Sequence, residues 1–168
     1  MREQTAGVVI GRVSGVNNPD HIGQVEVQFP WQGEDAPPRW CSMASIMAGS
    51  DSGAFMFPVV DDEVLVAFDH GDFDHAYIVG VLWNPVQQPP SQDQRQRVIR
   101  SKNGHTIRFI DSTEVGGNRG GLIIEDGHGN TVAMTNGVIT VHSQGHLNLS
   151  ASTMSLMGRP VRPIGGDI

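Results

Sequence analysis

In the second half of the chain, apolar residues come in pairs separated by one position. The pairs are Ile107/Phe109, Leu122/Ile124, Val132/Met134, Ile139/Val141, Leu147/Leu149 and Met154/Leu156. From Leu122 onward they start 10, 7, 8 and 7 residues apart. Spacing of two places both members on one face of a strand, and Gly, Asn or Ser follows each pair as a turn. A strand of about five residues spans roughly 17 Å. Such a ladder has one apolar face, and about 60 residues bury too little surface to close over it alone. Partners must cover that face. Three copies wound about one axis would turn every rung into three strands of a triangular prism, apolar inward, with no exposed sheet edge.

The first half is built differently. Nine of the ten Phe, Trp and Tyr residues lie at or before Trp83, and only Phe109 lies beyond it. The large side chains that fill a closed core are therefore confined to that part. Five β-like runs are bounded there by Gly, Pro, Asn or Asp: 7–14, 24–30, 39–46, 63–69 and 76–82. No convincing helix interrupts them. Five short strands suit a small closed barrel, with the OB-fold as the leading expectation. Between the halves, Asn84-Pro-Val-Gln-Gln-Pro-Pro-Ser-Gln-Asp-Gln-Arg has three prolines and no apolar period, which reads as a linker. The expected organisation is a barrel over 1–84, a linker over 85–97, the ladder over 98–157 and a terminal segment over 158–168.

A net charge of −7 argues against a polyanionic partner, so no nucleic acid is expected. Cys41 is the single cysteine, which excludes an intrachain disulfide and predicts a buried structural thiol. The start of the chain has no secretory-signal pattern and no apolar run reaches membrane-span length, so synthesis in the cytoplasm is expected.

Several residues invite a chemical role. Asp69-His70-Gly71-Asp72-Phe73-Asp74-His75 crowds three carboxylates and two imidazoles together, but it suits a solvated loop between strands better than any metal-ligand spacing. His142 and His146 are four apart on a strand-turn-strand pattern, so helical ligand spacing does not apply and both are expected to point outward. His105 shares parity with Ile107 and Phe109, so three copies could meet near an axis and hold an ion or water; a polar residue at the mouth of the prism is the plainer expectation. Ser14, Ser101 and Ser143 lie in no nucleophile elbow. The tract Gly116–Gly121 lacks the context of a phosphate loop and reads as a long turn. No catalytic residue, metal site or cofactor is expected, and the chain is not expected to be an enzyme.

Longer stretches of the chain resemble a family. Gly7-Val-Val-Ile-Gly-Arg-Val, Gly23-Gln-Val-Glu-Val-Gln-Phe-Pro, Arg39-Trp-Cys, the stretch from Pro58 to Asp72 and Ala76-Tyr-Ile-Val-Gly-Val-Leu-Trp-Asn are similar to the OB domain of phage baseplate spikes of the gpV type and VgrG spikes. Ser101-Lys-Asn-Gly-His-Thr-Ile-Arg-Phe resembles the start of their β-helix, and Ile124-Glu-Asp-Gly-His-Gly-Asn-Thr-Val a later rung.

The resemblance implies an all-β homotrimer, an OB-fold barrel followed by an intertwined triple-stranded β-helix, assembled into the baseplate of a phage-tail-like injection particle. It implies a spike that pierces the target envelope, joined to a tube hub or baseplate protein. At the far end, Arg159, Pro160, Val161, Arg162, Pro163, Ile164 and Ile168 would seat a PAAR-repeat tip protein, since the His-x-His motif of self-sealing needle points is absent. No lysozyme domain separates barrel from helix and no hub precedes the barrel, which implies a minimal spike with a separate hub. The alternative is an OB-fold glycan-binding module, for which Trp31 and Trp40 are the residues to test.

Overall fold

A computed structural model describes residues 7–33, 35–112 and 119–160. The chain divides into two compact units, 1–89 and 90–168. The strands of the first unit are β1 (Val8–Gly15), β2 (Gln24–Gln28), β3 (Arg39–Met43), β4 (Ala48–Gly49), β5 (Ser52–Gly53), β6 (Glu63–Asp69) and β7 (Asp72–Leu82). The second unit holds β8 (Gln96–Arg100), β9 (Thr106–Ile110), β10 (Gly121–Glu125), β11 (Thr131–Thr135), β12 (Val138–His142), β13 (Ser155–Leu156) and β14 (Arg159–Pro160). Among the described residues the only helical element is a 3-10 turn, Pro30–Gln32.

In the first unit β1-β2-β3-β7-β6 close into a barrel, as the OB-fold expectation required. β1 is shared: Val8 to Arg12 pair with β6, whereas Arg12 to Gly15 pair with β2 across a bulge. The seam is the parallel pairing of Ser42 and Met43 on β3 with Tyr77 and Ile78 on β7. Strict alternation supplies the core. Val25 and Val27 on β2 and Val64 and Val66 on β6 are fully buried, joined by Val13, Phe29, Cys41 and Ile78. Each such side chain contributes on the order of 1.5–3 kcal/mol by leaving water. Phe29 centres an aromatic cluster, its ring 5.9 Å from Phe68 and 5.4 Å from Phe73. Gly11 makes room: a Cβ there would stand 2.3 Å from Cγ1 of Val27.

The largest departures from the runs read in the sequence are three. β3 ends at Met43 and not at Ile46, because Ser45 turns the chain by binding the carbonyls of Met47 and Ala54, and the small β4–β5 hairpin follows. β7 begins at Asp72, so the loop expected over 69–75 contracts to the turn His70-Gly71, both with positive φ as a tight hairpin demands. Leu147–Leu149 carry no strand.

The second unit is a five-stranded antiparallel meander in the order β12-β11-β10-β9-β8, followed by the β13–β14 hairpin. β8, which the pairs starting at Ile107 do not include, extends the ladder by one strand. Within one chain the strands are therefore neighbours in a single sheet, and the three-chain winding implied by the resemblance requires further copies.

Candidate functional site

The register of the second sheet sorts the apolar pairs. Ile124 faces Ile107 on β9 and Val132 on β11, while Leu122 faces Phe109 and Met134. Val132 in turn faces Val141, Met134 faces Ile139, and Ile107 faces Ile99 on β8. Directly opposed residues share a face. Two unbroken apolar rows thus cross the sheet, one from Ile99 to Val141 and one from Phe109 to Ile139.

Among the described residues this face is left uncovered. Phe109, Ile124, Val141 and Ile139 are 49%, 44%, 52% and 71% exposed. Leu122 and Val132 are half-buried by their neighbours. An open groove of about 710 Å³ runs along the first row, bounded by Ile99, Ile107, Ile124, Val132, Val141 and Leu147. Leu149 and Leu156 are exposed as well, and Met154 is half-buried. The opposite face is better covered: Ile123 and Ala133 are half-buried, and the Arg108–Glu125 ion pair, 3.1 Å, lies beside them. Thr106 is 7% exposed and its Oγ1 is buried without a hydrogen-bond partner. Ile99 escaped the sequence reading, because its partner two positions back is Arg97 and no apolar pair with a spacing of two marks β8.

The turns that hold the rungs are side-chain locked. Asp126 accepts the N–H groups of His128 and Asn130, both at 2.9 Å, and its other oxygen accepts Asn130 Nδ2 at 2.6 Å. These bonds, led by that from the Asn130 side chain, pull its carboxyl down to about 2. His105 Nδ1 accepts the N–H of Gly127 at 3.2 Å, tying the β10–β11 turn to the start of β9. His142 is exposed, on the face opposite Val141, and His146 is exposed beyond it.

The other residues singled out in the sequence fall into structural roles. Arg39 bonds Asp74 at 2.6 Å and lies 4.2 Å over the Phe73 ring, so part of the Asp69–His75 cluster clamps β3 to β7. Asp72 lies 3.4 Å from His75. Among the described residues no three His, Cys, Asp or Glu side chains are placed to share a metal ion. Ser14 Oγ donates to Glu26, Ser101 Oγ accepts the N–H of His105, and Ser143 Oγ donates to the carbonyl of His146. Trp40 stacks on His21 at 4.6 Å, which occupies one face of its ring, and Trp31 is half-exposed. Cys41 is fully buried. Of the terminal segment, Arg159 and Pro160 form β14, while Val161, Arg162, Pro163, Ile164 and Ile168 lie outside the described residues. Among those described, no helix is long and apolar enough to cross a membrane.

Part of the sequence is similar to known proteins. Residues 9–83, which span the barrel, match the profile of the type VI secretion system/phage-baseplate injector OB domain. The type VI secretion system spike protein VgrG4b of Pseudomonas aeruginosa is 35% identical over 105 residues, covering 58% of this chain and 13% of its own. VgrG1a of the same organism is 31% identical over 112 residues, 61% of this chain and 17% of its own. VgrG3 of Vibrio cholerae is 31% identical over 97 residues, 53% and 10%. The chain matches less than a fifth of the length of these relatives. Barrel and matches agree: residues 9–83 are similar to the type VI secretion system/phage-baseplate injector OB domain and form the closed five-stranded barrel such a domain requires, and the chain resembles the VgrG spike proteins.

Proposed function

We propose that this chain is a structural spike subunit at the end of the inner tube of a contractile injection system, acting as a homotrimer and not as an enzyme. The observation that carries the proposal is the uncovered apolar face of β8 to β12, with one row five strands wide from Ile99 to Val141 and a second four strands wide from Phe109 to Ile139. A single chain leaves that face in water; identical copies bring identical faces and remove all of them at once. In the trimer the rungs from Ile107/Phe109 to Met154/Leu156 line the axis of a triple-stranded β-helix over 98–157. The barrel over 1–84 forms a collar toward the tube hub, with 85–97 as the connection.

The work of such a part is mechanical. Contraction elsewhere pushes the tube, and a narrow rod concentrates the force on the target envelope. Backbone ladders from three wound chains fail only together, which gives resistance to unfolding of a kinetic kind. The segment from Arg159 to Ile168 seats a PAAR-type tip protein, its two arginines and its apolar residues offering both charge and contact area.

Sedimentation of the purified chain, with an unboiled SDS gel beside it, tests the proposal. A trimer that persists in SDS until heated is expected. A folded monomer at tens of micromolar would sink the spike assignment.

A further inference from the structure

Asparagine or aspartate is followed by glycine three times in the chain, at Asn103-Gly104, Asp126-Gly127 and Asn136-Gly137. At such a step the side-chain carbonyl carbon and the next backbone nitrogen can close a five-membered ring, because glycine puts no side chain in the way. The fold treats the three differently. Gly104 donates its N–H to the carbonyl of Ser101 at 3.0 Å, and Gly127 donates to His105 Nδ1 at 3.2 Å. Ring closure would have to break these bonds first. The first of these turns is also packed: a Cβ on Gly127 would stand 2.5 Å from the carbonyl oxygen of Asn103. Gly137 is unlike both. Among the described residues its N–H has no partner, and a Cβ there would meet nothing within 4 Å. Asn103 and Asn136 are both exposed, so the held N–H and not solvent access separates them. Asn136 and Gly137 are the central residues of the hairpin between β11 and β12, with φ of 49° and 80°, the geometry that favours Asn-Gly. Oδ1 of Asn136 accepts the N–H of Arg119 at 3.1 Å. That donor stands at the oxygen on which negative charge collects when a nucleophile adds to the amide carbon.

The structure assigns Asn136 as a site of spontaneous deamidation, set in the turn that fixes the register of β11 and β12. The Gly137 nitrogen gives up its proton to solvent and bonds to Cγ of Asn136; the Cγ–Nδ2 bond breaks, and the amide nitrogen leaves as ammonia with a proton from water. Water, the only co-reactant, then opens the ring at either carbonyl. Opening at Cγ yields aspartate, which keeps the main chain and tolerates the left-handed turn. Opening at the backbone carbonyl yields isoaspartate, whose main chain runs through Cβ and is one atom longer. Met134 stands opposite Ile139 and Thr135 opposite Val138 across this turn. An added backbone atom therefore disturbs the register on which the second apolar row depends. The chemistry needs only the turn of one chain, whatever the number of copies that assemble.

The test follows the unaltered full chain in mildly alkaline buffer, folded and in urea. Mass spectrometry of the peptides that contain residues 103 and 136 reads the replacement of NH by O at each, and the rate at each site in the folded chain is divided by the rate of the same site in urea. This quotient removes the intrinsic reactivity of each Asn-Gly step and leaves the effect of the fold. The expected quotient at Asn136 is at least about tenfold larger than at Asn103, since only Asn103 must wait for a hydrogen-bonded turn to open. A smaller ratio would overturn the assignment, whether because both sites convert alike in the folded chain or because neither does. Either result leaves the spike proposal untouched, as sedimentation alone decides that.

Discussion

Ile107 of β9 and Ile124 of β10 stand directly opposite each other across an antiparallel ladder, yet they keep 39% and 44% of their surfaces open. A cross-strand pair of this kind normally lies beneath a second layer, and among the described residues none lies on that side of this sheet. The face is built to the standard of a core, with β-branched and long apolar residues in register over five strands, and only its cover is absent.

Ile124→Asp should therefore abolish assembly while sparing the barrel. A carboxylate in the middle of a face closed by other copies loses hydration with no cation to meet it, a cost of several kcal/mol per subunit. Sedimentation should show monomer. Trp31, Trp40 and Trp83 all lie in the first unit, so unchanged tryptophan emission would show the barrel intact. Retention of the trimer would contradict the assignment of this face.

Phe29→Ala attacks the other unit. Phe29 is 1% exposed and touches the rings of Phe68 and Phe73, so removing it costs about 3–5 kcal/mol. Gly11→Ala overfills the same core, with its Cβ at 2.3 Å from Val27 Cγ1, at about 1–3 kcal/mol. Urea unfolding followed by tryptophan fluorescence reads both. A shift below half a kcal/mol for Phe29→Ala would mean that the barrel core lies elsewhere.

The barrel was legible in the sequence because its strands are short, apolar and punctuated. Val25-Glu-Val-Gln-Phe29 declares a buried side by alternation, whereas the continuous apolar run from Val64 to Phe68 reads as a strand covered on both faces, of which the fold buries Val64, Val66 and Phe68 and leaves Leu65 and Ala67 half-buried; the Gly and Asp punctuation marks where each strand stops. What the pattern could not supply was the end of each strand. The acidic run Asp69–His75 looks solvated in one dimension, yet the backbone needs only His70 and Gly71 to reverse, and Arg39 then holds Asp74 on the strand. The ring stack of His21 on Trp40 was invisible for a similar reason, since nothing local predicts a partner 19 residues away.

In the second unit the apolar pairs gave the face correctly for β9 to β12, because spacing of two is a backbone property independent of neighbours. Leu147/Leu149 follow the same spacing and form no strand in the single chain. A strand needs a ladder partner, and periodicity reports which side of a residue is apolar without reporting where its hydrogen-bonding partner resides.

Cys41 should be silent toward thiol reagents in the folded protein. Burial, only partly offset by Arg39, pushes its thiol up to about 11. Because the folded value lies above the ordinary 9.0, the neutral thiol contributes stability that is complete below pH 9 and is lost as pH rises toward 11. A disulfide reagent at pH 8 should find no thiol until denaturant is added and then one per chain. Rapid native labelling would show that the wall around β3 opens.

Asp126 titrates in the opposite sense. Its carboxyl, held by Asn130 and His128, is drawn from the ordinary 3.8 to about 2, so the folded turn favours the anion. The stability it supplies is present above pH 3.8 and disappears as pH falls from there through about 2. Asp126→Asn removes this dependence, because an amide nitrogen cannot accept the bond that Oδ2 takes from Asn130. The difference in melting temperature between the two proteins should therefore be flat above about pH 5 and shrink steadily below pH 4. Carboxyl chemical shifts that place the Asp126 midpoint at 3.8 would show that the turn between β10 and β11 is not locked by this side chain.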